Sequence, residues 1–347
     1  MTRGGSITLA QIIWKRFLQA LPLLFILSVI SFGLVRALPG DPVEALLGES
    51  TRDISREELA FMRKRFGLDD PLPIQYGRWL MGWTGHGELG RSYQDNRPVL
   101  EVILERLPAT IMLTGTAIIL SFTSGTLWGL ALVFLRSRFP KLEGFLLTST
   151  LFLYSIPAFL VALALVYLAA DWQTLHFIPI FAALDLNRGS ALIALLPFAI
   201  LPAFALALGR AAKVALFIRS LALDEITKNY VTLAIAKGMP DFRVILVHVS
   251  RNCLLPVLNL LALSLPALIG GSVLIESIFG WPGTGRLAVD ATFGRNYPVM
   301  TSLIMLYGTM VILSNLLADL IAPFIDPRLR DEAETAKAED SVRMRKL

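Results

Sequence analysis

A chain of 347 residues with 55% hydrophobic and only 17% charged side chains, at a mean hydropathy of +0.63, has too little polar surface to cover a water-facing globule, because soluble domains carry about 25% charged residues. This excludes a soluble globular protein and predicts an all-α polytopic membrane protein; the net charge of +5 is then a matter of where basic residues fall, not a nucleic-acid signal. The single cysteine, Cys253, excludes an internal disulfide and a multi-cysteine metal site, and His86, His176 and His248 are too scattered to suggest a metal cluster.

A first span is predicted over residues 14–38, entered through Lys15 and Arg16 and stopped by Leu38-Pro39-Gly40-Asp41-Pro42. Its apolar run is too long for a cleavable signal. Residues 39–107 turn polar, with helices expected over 56–66 and 74–81, and with Phe61, Phe66, Trp79 and Trp83 to bury, so they read as a small folded extramembrane domain. Further spans are predicted at 108–135, 144–170 (containing Pro157), 190–208 (containing Pro197 and Pro202), 253–278 and 299–325. A basic turn at 136–141 follows the second span, a charged segment at 210–252 follows the fourth, a Gly-rich loop at 279–298 follows the fifth, and a polar tail runs from 326 to 347.

Six spans put both termini on one side. Arg3, Lys15, Arg16, the 136–141 turn, seven Lys/Arg of the 210–252 segment and the basic tail gather there, whereas the opposite short loops carry only Arg188, Arg286 and Arg295. The positive-inside rule makes the termini and the 210–252 segment cytoplasmic and the 39–107 domain extracytoplasmic.

Between Asp224 and Pro256 the cytoplasmic segment combines charge with helical periodicity. Ile226, Tyr230, Leu233, Ala234 and the stem of Lys237 fall on one stripe. Gly238 suits the left-handed residue that ends a helix, and Pro240 suits the start of another. This predicts a helix, a tight turn and a second helix, either as a solvated loop or as an amphipathic pair needing a partner for its stripe.

Asn229-Tyr230-Val231, Ala234-Ile235-Ala236-Lys237-Gly238-Met239, His248, Arg251-Asn252 and Pro256 together resemble the cytoplasmic coupling motif of ABC importer permeases of the dipeptide/oligopeptide/nickel family, first-subunit type. The resemblance extends over nearly the whole chain. It takes in Leu38-Pro39-Gly40-Asp41-Pro42, Phe66-Gly67-Leu68-Asp69-Asp70-Pro71-Leu72 with Gln75-Tyr76, and Gly87-Glu88-Leu89-Gly90-Arg91-Ser92. Arg106-Leu107-Pro108-Ala109-Thr110, Ile156-Pro157-Ala158-Phe159, the run from Glu276 to Gly285, Asp290, Tyr297-Pro298, Asp319 and Ile325-Asp326-Pro327-Arg328 complete it. The sequence departs from the family's Thr-Ala-Arg-Ala-Lys-Gly at Leu233 and Ile235, and Ile cannot replace a guanidinium.

This resemblance implies a type I ABC importer permease in a bacterial or archaeal cytoplasmic membrane. Its implied partners are a second homologous permease, two cytoplasmic ATPases that bind the ATP and Mg, an extracytoplasmic substrate-binding protein and membrane lipids. The permease itself would hold no cofactor and perform no covalent chemistry. Asn229, Tyr230, Ala234, Ala236, Lys237, Gly238, Met239, His248, Arg251 and Asn252 would couple to the ATPases. Peptides are the implied cargo, with nickel complexes or another solute as the alternative.

The loop Gly280-Trp281-Pro282-Gly283-Thr284-Gly285-Arg286 is glycine-rich but lacks the Lys-Ser/Thr of a phosphate-binding P-loop, and reads as a rigid turn. Glu276, at the end of the fifth span, either lines or gates the pathway or makes a structural hydrogen bond. A secondary transporter or channel remains the competing class, and would work without an ATPase.

Overall fold

The computed structural model describes residues 9–37, 43, 55–65, 67–86, 89–171 and 195–325. Among them the chain is helical, broken only by turns and one isolated antiparallel bridge between Arg91 and Pro98. The Leu38–Pro42 motif, the loop from 172 to 194, the Asp319 side chain and the tail lie outside the described residues.

Helix α1 is Leu9–Ala37. α2, Arg56–Arg65, begins with a reciprocal capping box: the Ser55 Oγ accepts the Glu58 N–H at 3.2 Å, and the Glu58 carboxylate accepts the Ser55 N–H at 3.2 Å. It stops at Gly67, whose φ of +63° a side chain would resist. α3, Leu72–Met81, runs on through a π turn, Gly82–His86. Both helices fall within a residue or two of expectation, but burial does not follow it throughout. Phe61 is exposed, while Trp79 packs on Phe32 of α1 at 5.8 Å and on Trp83 at 6.2 Å.

α4, Val99–Arg138, starts nine residues before the predicted second span and absorbs Pro108. Its 40 residues extend roughly 60 Å, about twice the hydrocarbon thickness, so it carries the membrane core and a protruding arm in one rod. Only Phe139 separates it from α5, Pro140–Ser155. The predicted third span is not straight: α5 and α6, Ala158–Asp171, meet at 96°. The cause is local, since Pro157 lacks an N–H and drives Ile156 to an extended φ −78°, ψ 123°.

α7, Leu196–Ile226, continues well past the predicted end at 208, so the supposed cytoplasmic segment belongs to the same rod as far as Ile226. Short α8, Asn229–Ala236, follows. Then α9, Asp241–Arg243, passes through a π turn, Val244–Val249, into α10, Ser250–Ile278. The second helix of the predicted pair and the fifth span are therefore one continuous element. α11, Thr284–Phe293, and α12, Tyr297–Ile325, end the described chain.

Among the described residues, four helices (α1, α4, α7, α12) are long and apolar enough to cross a membrane, and the bent α5–α6 pair makes a fifth. α10 has 29 residues, and the side chains of much of its middle lie outside the described residues. α4 and α7 pack at backbone distance through Gly125 and Gly129, one turn apart. A Cβ on either would meet the carbonyl oxygen of Ala211 or Ala215 at 2.6 Å, the close approach that small residues allow between membrane helices. Across the bundle, Arg219 of α7 and Glu143 of α5 form an ion pair at 2.6 Å, largely withdrawn from solvent, and the Trp128 indole N–H donates to Thr150 at 2.9 Å.

The candidate coupling site and its counterpart at the other end of the bundle

α8 closes as the sequence dictates. Gly238 takes φ +79°; its N–H donates to the Ile235 carbonyl at 2.8 Å and the Met239 N–H to the Ala234 carbonyl at 3.2 Å. These two bonds are a Schellman cap, which satisfies carbonyls that a helix end leaves without partners. Pro240 then caps α9, its carbonyl accepting from Arg243 and Val244 at 2.9 and 3.1 Å.

Which face of α8 is buried differs from the predicted stripe. Val231 and Ala234 point inward, with Tyr230 and Met239, onto Leu130 and Val133 of α4, Val214 and Ile218 of α7, and Val244, Ile245 and Val249 of the π turn. Leu233 and Ile235 are 56% and 50% exposed. The break at Thr227 and Lys228 separates Ile226 from α8, so the two do not share a stripe. Phe242, Leu246 and Val247 extend the apolar outer surface beside the turn.

A polar node holds α8 in this register. The Asn252 amide on α10 donates to Glu225 Oε1 at 2.7 Å and to the Tyr230 hydroxyl at 3.0 Å, and that hydroxyl donates to the same Glu225 oxygen at 2.9 Å. Lys228 pairs with the other carboxylate oxygen. Burial, reinforced by the bond to Glu225, pushes the Tyr230 phenol above its ordinary pKa, so it stays a donor at neutral pH. One carboxylate thus ties the end of α7, the start of α8 and the start of α10 together.

The ten residues expected to couple are therefore brought to one end of the bundle but divided by role. Tyr230, Ala234 and Met239 face inward, the exposed Asn252 holds the turn through its bonds to Glu225 and Tyr230, and Gly238 shapes it. Asn229, Ala236, Lys237 and Arg251 lie on the exposed side, and His248 is half-buried on the π turn. Glu225 and Lys228 were missed. Their signal was weak but present: Glu225 is one of only three carboxylates, with Asp224 and Asp241, in the basic 210–252 segment.

At the far end of α10 the arrangement is the reverse. Glu276 is fully buried, and its Oε2 accepts the N–H groups of Gly285 and Arg286 at 2.7 and 3.2 Å. It supplies the side-chain acceptor at the N-terminus of α11 that Gly283, standing at the N-cap, cannot. Thr110 of α4 accepts the Thr284 N–H at 2.8 Å, the buried Trp281 indole N–H donates to the Ala109 carbonyl at 3.0 Å, and the Tyr307 hydroxyl donates to Thr284 at 3.2 Å. Of the two roles weighed for Glu276, the geometry matches the structural one. Its carboxylate is buried, with α11 sitting directly on it. The glycine-rich loop is the tight turn expected, with φ +62° at Gly280 and no room for a Cβ at Gly283 or Gly285.

Residues 121–331 match the family model described as binding-protein-dependent transport system inner membrane component, and residues 9–114 match the corresponding N-terminal model. The chain belongs to this family. This permease is 34% identical over 323 residues to the oligopeptide transport system permease protein AppB of Bacillus subtilis (strain 168), covering 92% of this chain and 99% of that one. It is 34% identical over 316 residues to the glutathione transport system permease protein GsiC of Salmonella paratyphi A, with 91% and 97% covered. Its fold is similar to that in the inward-facing crystal form of the MetNI methionine ABC transporter, at a TM-score of 0.51 and 17% identity over 65% of the permease and 97% of that chain.

Proposed function

We propose that this permease forms half of the translocation pathway of an ATP-driven importer of di- and oligopeptides, docking cytoplasmic ATPases on the outer face of α8. The observation that carries the docking is the division of α8 itself: Val231 and Ala234 are sealed by the chain's own core, whereas Leu233 and Ile235 present apolar surface beside the turn. An amphipathic helix with its inner stripe already satisfied exposes a second apolar patch to meet a partner. The greasy pair stands where the family motif that this sequence resembles carries Thr and Arg, so the ATPase groove facing it is apolar in turn.

The partners in this reading are a second homologous permease, two ATPases that hold ATP and Mg, and an extracytoplasmic binding protein that delivers cargo. The charge distribution supports cytoplasmic termini and a cytoplasmic α8. ATP-bound and ATP-free partners must favour different positions of α8 for hydrolysis to drive transport. The Glu225 node and the unbroken run from α9 through the π turn into α10 would carry such a displacement from the turn into two membrane helices. Relatives named for oligopeptides and for glutathione, itself a tripeptide, support short peptides as cargo.

Proteoliposomes containing both permeases test this, with and without the ATPases and binding protein. Peptide uptake is expected only with the full set and ATP; equal uptake without ATPase would overturn the reading in favour of a secondary transporter or channel.

A further inference from the structure

A cavity of about 520 Å³ opens where the end of α1, α3 and the start of α12 meet, at the opposite end of the bundle from α8. Its lining includes Arg36, Arg65, Arg78 and Arg91 and no carboxylate. Arg78 is matched by Asp70 at 2.6 Å; among the described residues no carboxylate pairs with the other three. Arg36 is held between aromatic faces, its guanidinium carbon 5.4 Å from the Phe32 ring and 5.1 Å from the Tyr297 ring. These contacts fix its position without neutralising it.

Two further polar groups are placed there without partners among the described residues. Gln75, only 8% exposed, spends its amide N–H groups on the Leu68 and Asp70 carbonyls at 3.1 and 2.6 Å, which leaves its Oε1 without a donor. The Trp79 indole N–H likewise has no acceptor. The backbone also makes room for the charge: a Cβ on Gly67, which has φ +63°, would meet Arg78 Nη1 at 2.6 Å.

Guanidiniums that bind carboxylates through paired donors, aromatic walls, and an acceptor for an N–H are the complement of a peptide's C-terminal residue. The volume suits a ligand of di- or tripeptide size. We infer that this cavity is a binding site for the terminal carboxylate of a short peptide, separate from the docking turn. The carboxylate chemistry stands on the cavity alone; the peptide as its bearer rests on the peptide-import reading above.

The test uses the complete transporter in nanodiscs, without nucleotide or binding protein, titrated calorimetrically with trialanine, with trialanine C-terminal amide and with inorganic phosphate. Trialanine is expected to bind, the amide to bind at least about tenfold more weakly, and Arg36→Gln or Arg91→Gln each to weaken trialanine about tenfold, the loss of one charge-assisted hydrogen bond. Arg91 lies on the exposed rim, its Nη1 donating to the Asn96 carbonyl at 2.8 Å, so its variant remains informative if the Arg36 variant fails to fold. Equal binding of acid and amide, displacement of trialanine by phosphate, or unchanged affinity in the Arg91 variant would overturn the inference. So would an Arg91 variant that loses only capture of the binding protein, which would make the cavity a protein contact. Parallel ATP-driven uptake separates the two readings. Uptake without binding removes this site alone; binding without uptake removes peptide import and leaves the site.

Discussion

The two ends of α10 solve opposite problems with the same kind of residue. At one end Glu276 is sealed under α11 by backbone N–H groups, with Thr110, Trp281, Thr284 and Tyr307 closing the knot and glycines admitting no side chain. At the other end Glu225 also gathers three elements, but it does so behind a helix whose outer face stays apolar and open. A buried carboxyl group closed over by its own chain is a lock; one that braces an exposed apolar patch is a mount for something else. The difference lies in what covers the elements that each carboxylate ties, not in the carboxylates themselves.

That contrast can be broken at either end. The largest effect is expected at Gly283→Val: its Cβ would stand 2.5 Å from Thr110 Oγ1 and crowd the Glu276 carboxylate, destabilising the permease by about 3 kcal/mol or more. Thermal denaturation in detergent should show it, and a normal melting temperature would mean the knot yields easily. Gly238→Val places a β-branched residue at φ +79°, at a cost of about 1–2 kcal/mol. The chain should still insert, while ATP-driven uptake per transporter falls severalfold; undiminished uptake would remove the turn from the coupling path.

Glu276→Gln keeps the shape of the lock but replaces the carboxyl group that accepts the α11 N–H groups with an amide, at a cost of about 1 kcal/mol. Stability should drop slightly with uptake per folded molecule unchanged; a selective loss of uptake would return Glu276 to the pathway. Smallest in stability, within about 0.5 kcal/mol, is the double change Leu233→Ser and Ile235→Ser on the exposed face. It should nonetheless cut co-purification of the ATPases. Retention of both would assign the patch to lipid or another subunit.

Much of this was legible along the chain. Pro157 and its extended neighbour mark the bend of the third span, Ser55 and Glu58 announce the start of α2, and Gly238 with Pro240 predicts the turn. Other features were hidden by the chemistry of membranes. In α8 both Val231 and Leu233 are apolar, so hydropathy did not tell which turns inward, and the lengths of apolar runs did not tell that α4 begins at Val99 or that α7 runs to Ile226. The Gly125-x-x-x-Gly129 spacing was a readable cue for close helix approach, but its partners Ala211 and Ala215 lie some eighty residues away.

Local chemistry thus set where helices start, bend and cap, and which end of the chain carries positive charge, because those outcomes depend on hydrogen bonds and dihedrals within a few residues. Only packing across the bundle decided that Thr110 would meet Thr284 and Glu225 would meet Asn252. Such pairs are joined by desolvation and geometry between distant segments, and no spacing along one strand of sequence encodes them.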